Sequence, residues 1–118
     1  MLVAIITTSR PVEFRHVSDD PNWQRAEMMS LVGGPLRRVG IKGCPECIGL
    51  IAEDSVTRKK GPALEALANR DGGRLVSGMR RDQTLIRPLL ICGTNQDEPT
   101  DLPIVTADWL LEAGGHEK

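Results

Sequence analysis

Leu2-Val-Ala-Ile-Ile-Thr-Thr-Ser-Arg-Pro-Val-Glu-Phe-Arg-His-Val17 opens the chain with two strand signals around one turn. Leu2 to Thr8 is a near-continuous β-prone run, the pattern of a strand covered on both faces. Ser9-Arg10-Pro11 punctuates it. Val12, Phe14 and His16 then alternate with Glu13, Arg15 and Val17, which predicts a second strand with one wet face, paired to the first as a hairpin.

The next segment is a helix. Asp20 is placed to cap exposed N–H groups, and Pro21 falls in the first turn, where its missing N–H costs nothing. Trp23, Ala26, Met29, Leu31 and Val32 form an apolar stripe near helical period. Gly33-Gly34 supplies a left-handed stop and Pro35 blocks continuation. Leu36 to Lys42 and Cys47 to Glu53 read as two more strands around a turn at Gly43 to Cys47.

Ala63 to Asn69 is a short helix of strong helix formers. Asp71-Gly72-Gly73 reads as the turn that ends it, and Arg74 to Gly78 as a short strand. Leu85 to Cys92 is an apolar strand with Pro88 inside, which points to a sheet edge or a bulge, because proline cannot donate to a ladder. Thr94 to Pro99 reads as a polar loop. Thr106 is placed to cap a last helix, Ala107 to Ala113.

The order is ββαββαββα. Strands do not alternate strictly with helices, which argues against a Rossmann-type fold. The expected class is a small single α+β domain over residues 1–113, with a mostly antiparallel sheet, three short helices and a frayed tail at 114–118.

At 118 residues, 40% hydrophobic and 26% charged, the chain suits one globular domain. A chain this size buries roughly 65% of its unfolded surface. Whole-chain disorder, a coiled coil and a collagen-like rod are excluded. No apolar run approaches the ~20 residues of a membrane span, so no membrane partner is expected. A net charge of −1 names no partner.

The N-terminal apolar run has no basic residue before it and no small-residue cleavage site after it, unlike a signal peptide. Three cysteines are too few, and odd in number, for a disulfide framework. A reducing, cytoplasmic setting is expected.

Cys44-Pro45-Glu46-Cys47 is the sharpest local signal. Such a turn can point two thiolates at one tetrahedral metal. Zinc would need four ligands, and Cys92 with His16 or His116 completes a set only if the fold gathers them. A redox reading needs the first cysteine to open a helix, where its pKa falls, yet Ile48, Leu50 and Ile51 read as strand. Plain structural thiols are the third reading.

Charge is unevenly spread. Residues 37–81 hold ten basic residues against five acids, whereas residues 82–118 hold two against seven. Arg37, Arg38, Arg58, Lys59 and Lys60 are the candidate phosphate or nucleic-acid contacts. Solvated strand and turn faces are the alternative. With three aromatics in all, Phe14, Trp23 and Trp109, base-stacking platforms are poorly supplied. Core packing is the expected role of both tryptophans.

Leu31-Val-Gly-Gly-Pro35 lies at a helix C-terminus, not at the N-terminus where anions sit. No Walker or G-x-G-x-x-G pattern occurs, and no nucleophile elbow or carboxylate pair stands out. No catalytic residue is assigned and no enzyme is expected.

Several of these segments together resemble a phage and actinobacterial domain-of-unknown-function family, the one numbered 3846. They are the opening strand Leu2 to Thr7, the helix ending in Leu31-Val-Gly-Gly34 before a strand, Ala52-Glu-Asp54 leading to a Gly-Pro segment, and Arg87-Pro-Leu-Leu-Ile-Cys-Gly93 before an acidic loop. Cys-Pro-Glu-Cys is not part of the family pattern. The resemblance brings no activity and no cofactor. It implies a phage or mobile-element origin, where small domains act by binding host proteins, nucleic acid or defence signals in the host cytoplasm.

The expectation is therefore an accessory protein that binds a protein partner or itself. The alternatives are a nucleic-acid-binding domain with a zinc-stabilised Cys44/Cys47 turn (Cys92 its possible third ligand) and a thiol oxidoreductase.

Overall fold

The structure, a computed structural model, describes residues 1–7, 11–59, 61–96 and 98–115. In chain order the elements are β1 (Leu2–Ile6), β2 (Glu13–His16), α1 (Pro21–Val32), β3 (Leu36–Gly40), β4 (Cys47–Ala52), β5 (Val56–Thr57), α2 (Pro62–Leu67), α3 (Arg70–Leu75), β6 (Thr84–Leu85), β7 (Leu89–Asn95), β8 (Glu98–Thr100) and α4 (Ile104–Gly115). The main sheet runs β2-β1-β7-β4-β3, with β8 paired to β7, and every pairing is antiparallel. β5 and β6 form a separate two-stranded ribbon. The α+β class and the mostly antiparallel sheet are as expected. Four helices appear among the described residues, and the element order differs. No helix among them is long and apolar enough to cross a membrane.

The opening hairpin forms as read, with Leu2 opposite His16 and Ile5 opposite Glu13. Asp20 caps α1 by accepting from the Asn22 N–H at 3.0 Å. Gly33 ends it at φ 91°, its N–H donating to the Met29 carbonyl at 2.9 Å.

Side chains alternate across a pleated strand, and the continuous apolar runs are buried on both sides. Ala4, Ile6, Ile51, Leu89 and Ile91 join Leu85, Leu102 and Leu110 on one face. Val3, Leu50, Ala52, Leu90 and Cys92 join Met28 and Val32 of α1 on the other. α1 thus covers one face, while α4 and the β5–β6 ribbon cover the opposite one.

Several expectations are corrected. The apolar stripe of α1 is misplaced by the sequence reading: Met28 and Val32 are its buried residues, and Trp23 is 66% exposed. The run Leu85 to Cys92 is two strands. Leu85 pairs with Val56, the Ile86 N–H donates to the Ser55 carbonyl at 2.8 Å, and β7 starts only after Pro88. Pro88 therefore removes no ladder bond, and β7 is the central strand of the sheet, not an edge.

Asp71-Gly72-Gly73 is not a turn but part of α3. Asn69 caps that helix through its Oδ1, which accepts from the Gly72 N–H at 3.1 Å. Arg74 to Gly78 is not a strand; Val76 makes one isolated bridge to Ile41. Thr94 to Pro99 is largely β7 and β8. α4 begins three residues earlier than read, so Thr106 lies inside it instead of capping it.

Candidate functional site

The Cys44–Cys47 turn forms where β4 begins. The Cys44 N–H donates to the Ile41 carbonyl at 3.2 Å and the Cys47 N–H to the Cys44 carbonyl at 3.3 Å. The Glu46 carbonyl accepts from the Thr94 N–H at 2.9 Å, tying the turn to the central strand. Cys44 Sγ donates to Cys47 Sγ at 2.7 Å, and the Thr106 hydroxyl of α4 lies 3.5 Å from both sulfurs. All three residues are buried.

Burial pushes the Cys47 thiol up to about 12, and its hydrogen bond with Cys44 pushes the same way. A neutral thiol is a poor nucleophile and a poor metal ligand. The sequence reading missed Thr106, which approaches from more than fifty positions away.

Cys92 is not part of this cluster. It points to the α1 face, whereas Cys44 and Cys47 belong to the α4 face. Burial raises its thiol to about 12, partly offset by the Arg38 charge. His16 is exposed on β2, and His116 lies outside the described residues. Among the described residues no three His, Cys, Asp or Glu side chains gather where they could hold a metal ion.

The basic candidates are dispersed. Arg37 and Arg38 are consecutive on β3, so they project to opposite faces. Arg58 follows β5 and lies 3.7 Å from Asp82, with both side chains more than half exposed; such a pair contributes little. Lys59 is exposed, and Lys60 lies outside the described residues.

The outer surface of α4 has a different character. Thr106 and Leu110 are buried against the sheet, whereas Ile104 is 78% exposed, Val105 81% and Leu111 51%. Trp109 is also exposed, so neither tryptophan is a core residue. Soluble helices normally place polar residues outward. Here Ile104 and Leu111 flank Asp108 on one side, and Val105 and Trp109 flank it on the other. The sequence reading missed this because it started the helix at Ala107.

In comparisons with known proteins, no family model, curated protein or solved structure matches the chain.

Proposed function

We propose that this chain is a small phage-type accessory protein that works by binding a partner protein, not by catalysis. The observation that carries the reading is the solvent-facing apolar surface of α4. Ile104, Val105, Trp109 and Leu111 give two turns of helix an outward face of the kind that interfaces cover. The resemblance of the helix–Leu-Val-Gly-Gly and Arg-Pro-Leu-Leu-Ile-Cys-Gly segments supports the phage origin. The thiol pair supports a structural role, because both sulfurs are buried and burial pushes the Cys47 thiol up to about 12.

The test is photocrosslinking from a photoreactive residue at Val105 in the native host, read by mass spectrometry. The expected result is one crosslinked polypeptide, lost in the Ile104→Asp/Leu111→Asp variant. A second copy of this chain as that polypeptide would define the partner as self. An unchanged crosslink in the double variant overturns the reading, as does any chemical turnover abolished by His16→Ala.

A further inference from the structure

Four arginines of the basic stretch 37–81 other than Arg37, Arg38 and Arg58 meet around one hollow. α3 contributes Arg70 and Arg74, which are four residues apart and so share a helix face. The segment before β6 contributes Arg80 and Arg81. These four side chains line an open cavity of about 390 Å³, whose apolar floor includes Leu85 and Met79.

The walls are braced. The Arg80 N–H donates to Gln83 Oε1 at 3.0 Å, and the Gln83 N–H returns to the Arg80 carbonyl at 3.1 Å. Buried Asn69 anchors the start of α3 through its own hydrogen bonds to Ile6 and Arg87.

The charge is one-sided. Among the described residues no Asp or Glu lines the cavity. Of the nearby acids, Asp82 pairs with Arg58 at 3.7 Å, and Asp71 lies 3.8 Å from Arg74, which it partly neutralises. Among the described residues, Arg70, Arg80 and Arg81 have no carboxylate within ion-pair distance. The guanidinium charges of Arg70, Arg80 and Arg81 around a concavity repel one another and focus a positive potential into it. An anion relieves that repulsion. Guanidinium groups match phosphate oxygens in pairs and stack on planar rings. The volume falls in the range of small-molecule sites.

We propose that this cavity binds a phosphate-bearing small molecule of the nucleotide class, its phosphates held by Arg70, Arg74, Arg80 and Arg81 and its ring resting on Met79, with Leu85 packed beneath. The site is separate from the α4 surface and stands or falls independently of it.

Isothermal titration at physiological ionic strength tests this with ATP, adenosine, tripolyphosphate and a 20-nucleotide single strand. Two-dimensional NMR then maps the site through the Met79 and Leu85 methyl groups. The expected result is saturable 1:1 binding of ATP, methyl shifts at both residues, and at least tenfold weaker binding of adenosine and of tripolyphosphate. Arg80→Ala/Arg81→Ala, at exposed positions and with an unchanged circular dichroism spectrum, should weaken ATP binding at least tenfold. Arg37→Ala should not change it.

No ATP binding up to millimolar concentration overturns the proposal. Equal binding of tripolyphosphate, tighter binding of the oligonucleotide, or an unaffected Arg80/Arg81 variant does the same.

Discussion

Asn69 is the polar residue whose loss should cost this fold most. It is 1% exposed, and its side chain satisfies three backbone groups from three places. Nδ2 donates to the Ile6 carbonyl at 2.8 Å and to the Arg87 carbonyl at 3.0 Å, and Oδ1 accepts from the Gly72 N–H at 3.1 Å. Asn69→Ala removes all three bonds, and those to the Ile6 carbonyl and the Gly72 N–H are buried. At about 1 kcal/mol per buried hydrogen bond, with some penalty for each orphaned group, the loss comes to about 3–4 kcal/mol. That is a large part of the ~5–15 kcal/mol available to a small domain. With a urea slope of roughly 1.5 kcal/mol per molar, the unfolding midpoint should fall by about 2 M at unchanged slope.

Asn69→Asp is isosteric yet places a carboxylate against two carbonyl oxygens. That repulsion and the burial raise the carboxyl pKa in the folded state above its unfolded value. The variant should therefore be least damaged below the unfolded carboxyl pKa, near pH 4, and lose stability as pH rises through the folded value. Urea titrations followed by tryptophan fluorescence at pH 4 and pH 7 read both effects. A midpoint shift for Asn69→Ala below about 0.3 M would show that these bonds do not hold the fold, as would an Asp variant that is more stable at pH 7 than at pH 4.

Gly93→Ala should cost about 1–3 kcal/mol by urea unfolding, because the added Cβ would run into the Asp101 backbone carbonyl and lie 2.7 Å from Thr100 Oγ1. Iodoacetamide at pH 8 should leave Cys47 and Cys92 unlabelled in the native protein and label both in urea, because burial lifts each thiol to about 12. Those raised values have a sign: their contribution to stability is complete below about pH 9, where the unfolded thiols titrate, and is lost as pH climbs towards 12. Cys92→Ala should show a shallower alkaline decline in its urea midpoint. Arg87→Ala should cost less than about 1 kcal/mol, since its bonds to the Gly33 carbonyl at 2.8 Å and to Asp54 at 3.0 Å lie at the surface; a loss above twice that would show the α1 terminus to depend on them.

Local signals were legible where neighbouring residues decide the outcome. Asp20, Pro21 and Gly33 set the ends of α1 by themselves, and the alternation of Glu13 to Val17 set the hairpin. The face that α1 buries is decided by the sheet beneath it, so Trp23 was misread although its helix was not. The break at Pro88 could not be read from an unbroken apolar run, because it depends on Leu85 pairing with Val56, 29 positions earlier. α3 carries two glycines and forms around Asn69, whose partners Ile6 and Arg87 are distant in sequence. The same limit applies to the site: the spacing of Cys44 and Cys47 announced a thiol pair, but not that Thr106 would close over it or that Cys92 would face the other way.

The place of β7 has a consequence for how the chain is made. The β1–β2 and β3–β4 hairpins share no ladder, and residues 89–95 join them. A ribosome must therefore deliver most of the polypeptide before the two halves can be zipped together, and until then each half carries a naked backbone rim. Long-range closure of this kind is slow and leaves the nascent protein open to misassociation. Stalled chains ending at Arg87 should remain protease-sensitive, and release through Asn95 should confer resistance.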